Sequence, residues 1–386
     1  MDLHPDSFTA GFLIGRDAAR ARVEKTQDSL PIDGLRTWLQ KHTQPGDTLV
    51  VEASANSFAF VEEAQRCNRV AIVLESHQCA QVGKTYCAND RVDAIKLARI
   101  HLSGLAKKVW VPDDTTRQRR EVFYAHAQAV TDSTRSKQRL KSFLNQHRIR
   151  LPKGFRLTVP MALERLLAFR PWEQTQSLLI KQYLRALTEA EMRRKELREE
   201  MARTILTTPE LLRLIRLCGL RHITAYALAA FIGDITRFAG PKQLVAYIGV
   251  NPGVCQSGNS KGSTSLRHNG CAPVRTLMIQ AAHAIMRCPQ VSFARWGYQL
   301  MMRRGRHRAV VGVARKLVTA VWHCLSGNFT AFDEEHENIA LKISRLVTEL
   351  GNLKQEVMGR ACATVFKENL LNELRQSHGL VFRTGR

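Results

Sequence analysis

The chain of 386 residues carries 58 Lys or Arg against 34 Asp or Glu, a formal charge of +24 and an isoelectric point near 10.2, so a polyanionic partner is the first expectation. With 44% hydrophobic and 24% charged residues it has the composition of a folded protein of two or three domains, which excludes a disordered basic tail. No apolar stretch reaches the roughly 18 residues of a membrane helix and no signal sequence is legible. The nine scattered cysteines, without metal-ligand spacing, are expected to be reduced thiols of a cytoplasmic protein with no membrane partner.

Residues 1–112 read as alternating α and β. Strands are predicted at 8–14 and 21–25 around a polar turn, at 48–51 after Pro45-Gly46-Asp47, and at 70–74 and 109–111. Helices are predicted at 32–41 and 58–66, giving a mixed sheet with crossover helices. Charge nearly cancels in this segment, with 14 Lys or Arg against 13 Asp or Glu, whereas residues 113–386 carry 44 against 21. That asymmetry predicts a domain boundary near residue 112.

From 115 to about 205 the pattern turns helical, interrupted by Pro152, Pro160 and Pro171. Ile180, Leu184, Leu187, Ala190, Leu197 and Met201 share one helical face, which suits self-association or, equally, packing within one subunit. Arg135, Lys137, Arg139 and Lys141 open a run, 135–156, with eight basic residues and no acid. A second basic cluster contains Arg303, Arg304, Arg306, Arg308, Arg315 and Lys316. Both are expected to face nucleic acid, because each neutralised phosphate releases counterions.

Thr208-Pro209-Glu210 is a helix-start signature. Short helices are predicted at 210–217 and 222–232, flanking Cys218-Gly219. They precede a Gly/Asn/Ser-rich stretch, 249–270, and helices at 274–287 and 309–325. The tail is helical and mixed in charge. The expected domains are 1–112, 113–206, 207–330 and 331–386.

No nucleotide-binding loop, zinc-protease, serine-hydrolase or dinucleotide fingerprint is present. The candidate chemistry lies in acids. Asp2 heads the chain, Glu52 follows the strand at 48–51, and Asp90 and Asp93 stand three apart in Asn89-Asp90-Arg91-Val92-Asp93-Ala94. On a helix that spacing puts two carboxylates on one face about 5–6 Å apart, where they repel unless a cation lies between them. A divalent metal such as Mg²⁺ suits such oxygen ligands together with substrate phosphates. A second candidate is Cys255-Gln256-Ser257-Gly258-Asn259-Ser260-Lys261-Gly262. Its small residues suit close approach to a phosphate, with Lys261, Arg267, His268 and Arg275 to balance the anion.

The ordered motifs resemble those of insertion-sequence transposases of the IS-one-ten type. Met1-Asp2-Leu3-His4 with Ser7-Phe8, Val50-Val51-Glu52-Ala53-Ser54 and Asn89-Asp90-Arg91-Val92-Asp93-Ala94 resemble the family's Asp…Glu…Asp-x-x-Asp (DEDD) domain. Gly233-Asp234-Ile235-Thr236-Arg237-Phe238, Gln243-Leu244-Val245-Ala246-Tyr247-Ile248-Gly249, Pro252, Gln256-Ser257-Gly258 and Gly270 with Val274-Arg275 resemble its C-terminal transposase domain, in the same order.

The resemblance implies an α/β RNase H/RuvC-like N-terminal domain, a helical middle region that mediates dimers, and a mainly α C-terminal transposase domain. It implies a DNA recombinase that excises and inserts its own element, guided by a structured non-coding RNA and assembled as a homodimer pairing into a tetramer. Asp2, Glu52, Asp90 and Asp93 would bind Mg²⁺. Ser257 would attack the phosphodiester to form a covalent protein–DNA intermediate. Because the serine and the acids fall in different predicted domains, a complete site is expected to require those domains, or subunits, to meet.

The sequence departs from the family at two places, and it leaves alternatives for the first acid and the serine. A full apolar strand precedes the first Asp in the family, whereas Met1 alone precedes Asp2, so an upstream start or a truncated copy is expected. Asp17 is an alternative first acid at a less suitable spacing from Glu52. Cys218-Gly219-Leu220-Arg221 stands where the family has a Pro-Gly-Ile-Gly-like hairpin. Ser260 and Ser263 are rivals to Ser257. A metal-dependent nuclease or junction resolvase that uses water, and a catalytically dead nucleic-acid-binding copy, are the alternative functions.

Overall fold

The computed structural model describes residues 1–82, 89–151, 155, 157, 162–168, 171–257, 260–266, 270–327 and 336–376, with the backbone only for 252–257, 260–266, 336–337 and 375–376. It divides into two compact units, Met1–Pro112 and Asp113–Arg386.

The first unit contains β1 (Asp2–Leu3), β2 (Ser7–Ile14), β3 (Arg22–Pro31), α1 (Leu35–His42), β4 (Thr48–Glu52), α2 (Ser57–Arg66), β5 (Val70–Leu74), α3 (Ser76–Val82), α4 (Asp90–Ser103) and β6 (Lys108–Val109). β1, β2 and β3 form one antiparallel sheet. In the other, β4 and β5 run parallel and β6 is antiparallel to β5. The main-chain nitrogen of Met1 donates to the carbonyl of Val50 at 2.6 Å, so β1 lies against β4 and the sheets abut there. The single mixed sheet expected from the sequence is therefore two ladders joined by this hydrogen bond.

The apolar run in β4 is explained by burial on both faces. Successive strand residues point to opposite sides. Leu49 and Val51 pack with Phe8, Leu39 and Phe60, while Val50 packs with Leu74, Leu97 and Ile100. Helices α1 and α2 thus cover one face, and α3 and α4 the other. The result is a three-layer α/β unit with Glu52 at the exit of its central strand.

The second unit contains α5 (Asp114–Gln146), α6 (Ala162–Ala168), α7 (Gln174–Thr207), α8 (Pro209–Leu214), α9 (His222–Ile232), α10 (Pro241–Ile248), β7 (Pro252–Ser257), β8 (Ser260–Leu266), α11 (Ala272–Ile285), α12 (Ser292–Arg304), α13 (Arg306–Leu325), α14 (His336–Glu349), α15 (Lys354–Met358) and α16 (Ala363–Gln376). Asp113 caps α5, its Oδ1 accepting from the Thr116 amide at 2.6 Å. Nine of the eleven residues of α9, from Thr224 to Ile232, are buried, as befits a helix apolar all round at the centre of a helical unit. Gly219 links α8 to α9 with φ +76°, and a Cβ there would meet Ile285 Cγ1 at 2.7 Å, so this turn requires glycine.

Helices α5 and α7 pair antiparallel. Ser133 faces Glu191, Phe143 faces Tyr183 and His147 faces Gln176, so one numbering rises as the other falls. Their seam buries Ile180, Leu184 and Leu187 against Leu140, Phe143 and Leu144. Ala190 and Met201 are also fully buried. The apolar stripe considered for self-association is therefore consumed largely by packing within the subunit. The core around α9 runs from Phe123 through Met201 and Leu228 to Leu374, so it draws on α5, α7 and the C-terminal helices alike.

Among the described residues no helix is long and apolar enough to cross a membrane. Cys67, Cys79, Cys218, Cys271, Cys288, Cys324 and Cys362 are free thiols.

Candidate functional site

Three elements of the first unit bring the acids together. Asp2 is held by β1, whose register sets Asp2 opposite Thr9 and Leu3 opposite Phe8. Glu52 ends β4. Asp90 and Asp93 occupy the first turn of α4, started by Asn89, whose side chain accepts from the Arg91 amide at 2.9 Å. Carboxylates at a helix N-terminus are favoured by the helix dipole. Helix α4 crosses β2 at Gly11, which lets Ile95 approach the strand closely.

His4 completes the cluster. Its Nε2 lies 3.6 Å from Asp2 Oδ2 and 3.4 Å from Asp90 Oδ2. One ligand atom from each of Asp2, His4 and Asp90 falls within 4.8 Å of the others. Glu52 and Asp93 belong to the same electrostatic group. The Asp2 carboxyl is raised above its ordinary value by burial first, with Asp90 and Asp93 adding to the rise and His4 and the terminal amine opposing it. The Glu52 carboxyl is likewise raised by burial, then by the charge of Asp2, with Lys96 opposing. Lys96 pairs with Asp93 at 3.2 Å and supplies positive charge at this edge. Arg91 turns away to Asp28, 2.7 Å distant.

Several carboxylates whose charges oppose one another, beside a ring nitrogen, form a donor set that fits a divalent cation. His4 Nε2 is shielded from solvent yet has no hydrogen-bond partner among the described residues. An ion shared with Asp2 and Asp90 would satisfy it. Asp17, the alternative first acid, is not in this group: its Oδ1 accepts from the amides of Ala19 and Arg20 and caps the turn between β2 and β3.

In the second unit the Gly/Asn/Ser-rich stretch contains two antiparallel strands, β7 and β8. Ser257 ends β7 and pairs with Ser260 at the start of β8; Gln256 pairs with Lys261, and Val254 with Ser263. The side chains of Ser257, Ser260, Lys261 and Ser263, like Arg267 and His268 altogether, lie outside the described residues. The hairpin base is tight, since a Cβ on Gly270 would lie 2.9 Å from Gly249 Cα. Beside it, the Cys271 thiol is raised by burial, while the positive charges of Arg120, Arg275 and Arg237 act to lower it. Sequence reasoning missed Arg120 and Arg237. They donate to the carbonyls of Ala230 and Ile232 at the C-terminal end of α9, each at 2.9 Å.

The other basic candidates separate by environment. Arg135, Arg139 and Lys141 are exposed on α5, as are Arg303 and Arg304 in the last turn of α12 and Arg306 at the start of α13. Lys137 is partly covered and pairs with Glu191 of α7 at 2.8 Å.

Sequence reasoning also missed His4 as a member of this cluster, although a signal was there. Residues two apart on an extended segment share a face, so an acid at Asp2 placed the imidazole of His4 beside it.

Residues 212–296 match the Transposase IS116/IS110/IS902 family. The match includes Ser257, Lys261, Arg267 and Arg275, and the carboxylates lie outside it. The y4qE protein of Sinorhizobium fredii, named as a transposase, is 27% identical over 245 residues, covering 61% of this chain and 58% of its own. The transposase for insertion sequence element IS1111A of Coxiella burnetii is 33% identical over 28% of this chain and 30% of its own. A Pseudomonas aeruginosa protein named as a family 20 transposase is 31% identical over 30% of this chain and 35% of its own. The chain thus matches less than two thirds of the length of each of these relatives.

Proposed function

We propose that this chain, whose residues 212–296 match the IS116/IS110/IS902 transposase family, is a member of that family and a DNA recombinase that cuts and rejoins phosphodiesters with a metal-dependent site in its first unit. The observation that carries this reading is the convergence of Asp2 and His4, on the β1 segment, with Asp90 at the start of α4, and with Glu52 and Asp93 in the same electrostatic group.

In this reading the first unit has an RNase H/RuvC-like organisation. Asp2, Glu52, Asp90 and Asp93 hold Mg²⁺ or a similar ion at the exit of β4. A divalent cation supplies Lewis-acid polarisation of a phosphodiester oxygen and neutralises charge on the leaving oxygen. Lys96 offsets the carboxylate charge at the Asp93 edge. The backbone of β1, pinned to β2 and to Val50, holds Asp2 in place.

Ser257, by its motif position, is the nucleophile. Its Oγ forms a new P–O bond as the deoxyribose oxygen leaves with the electron pair and takes up a proton. The phosphodiester energy is retained in the protein–DNA ester and is available for rejoining. Arg135, Arg139, Lys141, Arg303, Arg304 and Arg306 bind the phosphates of element ends, target DNA and a structured guide RNA. Assembly is as a homodimer that pairs into a tetramer.

Excision of the element in cells tests this reading. Glu52→Gln and Asp90→Asn are expected to abolish excision while the protein accumulates to normal levels. Undiminished excision by both would overturn the assignment of the acids.

A further inference from the structure

We infer that His4 is a nitrogen ligand of this centre, so that the site takes Mn²⁺ in preference to Mg²⁺ or Ca²⁺. The inference rests on the reading that Asp2 and Asp90 hold a metal. It adds a fifth side chain and a choice of ion to that reading.

The geometry is that of ligands awaiting a common ion. At 3.4 and 3.6 Å from the two carboxylate oxygens, Nε2 is outside or at the limit of good hydrogen-bond distance. Nitrogen and oxygen ligands about 2.0–2.2 Å from one metal stand roughly 3 Å apart, so small side-chain movements close the set. A histidine kept for structure usually finishes with its ring nitrogens hydrogen-bonded. Here Nε2 is buried without a partner among the described residues.

The backbone places the ring. The His4 amide donates to the Ser7 carbonyl at 2.8 Å, and Asn56 Nδ2 donates to the His4 carbonyl at 2.9 Å. These two bonds fix the residue from both sides, one within the β1–β2 turn and one from the loop before α2. The cations beside the acids do not compete for the position, because Lys96 pairs with Asp93 and Arg91 with Asp28.

Imidazole is a poor match for the hard ions Mg²⁺ and Ca²⁺, which favour all-oxygen shells, and a better one for first-row transition ions. Carboxylates with one imidazole therefore bias the centre toward Mn²⁺ without excluding Mg²⁺.

Mn²⁺ added to the full chain tests the inference by electron paramagnetic resonance, which reads free against bound ion, with spin-echo modulation to detect a coordinated ¹⁴N. The wild type is expected to bind Mn²⁺ with nitrogen coupling. His4→Ala should lose the coupling and weaken Mn²⁺ by about tenfold or more, with a smaller change in Ca²⁺ competition. His4→Asp should lose the coupling and shift preference toward Ca²⁺ and Mg²⁺. Circular dichroism checks that both variants fold, as expected for a half-exposed side chain. Nitrogen coupling absent from the wild type, or retained in His4→Ala, overturns the inference. If Asp90→Asn abolishes binding in the same series, the carboxylate centre still stands. Absence of Mn²⁺ binding by the wild type overturns the inference and the metal reading together.

Discussion

Gly11 of β2 lies beneath Ile95 of α4 so closely that a Cβ at position 11 would stand 2.9 Å from Ile95 Cγ1 and 3.2 Å from its backbone nitrogen. This contact sets how near the first turn of α4, with Asp90 and Asp93, comes to Asp2 and His4. Gly11→Val is expected to destabilise the first unit by about 1–3 kcal/mol through overpacking and to weaken Mn²⁺ binding by displacing Asp90. Urea unfolding and metal titration of the full chain check both effects.

Glu52 illustrates the cost of keeping carboxylates together. Burial and the charge of Asp2 raise its pKa, so its ionised form opposes folding when no cation is bound. Glu52→Gln is expected to raise the stability of the metal-free protein by a few tenths to about 1 kcal/mol, since solvent screens much of the repulsion. The same substitution should abolish stabilisation by added Mn²⁺. Thermal melts with and without the ion read both.

The helical unit should be acid-labile. His126 and His222 are each pushed down to about 4, in both cases by burial first and then by Arg198. An unfolded histidine takes a proton near pH 6.5 and these do not until about pH 4. The unfolded state therefore binds more protons in between, and stability falls as pH drops through that window. The expected loss is on the order of 3 kcal/mol per ring. His126→Gln should flatten the dependence in urea titrations between pH 7 and 4.

Basic residues should divide by their partners. Alanine at Arg303, Arg304 or Arg306 is expected to lower the salt slope of DNA binding by about one each, with folding unchanged. Lys137→Ala should instead cost about 1 kcal/mol of stability, because it removes a partner of Glu191 in the α5–α7 seam. Binding isotherms at several salt concentrations, with melts of each variant, separate the two classes.

Much of the first unit was legible because its patterns have short range. β4 and β5 are apolar runs, α2 has clear periodicity, and the acids stand at element ends where a strand or helix must present them; α4 has little amphipathic pattern and was legible only through the Asp90–Asp93 spacing. β3 reaches Pro31, beyond the predicted stop at 25, because its exposed polar residues hide the alternation. In the second unit α12 escaped notice since its buried positions are Ala294 and Gly297, which carry little hydrophobic signal. No strand is predicted within 249–270, although Gly258-Asn259 between two short segments is a hairpin signal. The apolar stripe on α7 was visible as a stripe. Its partner, the facing side of α5, is a tertiary fact that no periodicity contains.

The most direct measurement traps the intermediate. Element-end DNA, the adjoining non-coding RNA and the full chain are incubated with Mg²⁺ or Mn²⁺, denatured in detergent and digested, and the DNA-linked peptide is identified by mass spectrometry. The account predicts an adduct on Ser257 that requires the metal and is lost in both Ser257→Ala and Asp90→Asn. Metal-dependent cleavage that persists in Ser257→Ala without any adduct would contradict it and assign the nucleophile to water.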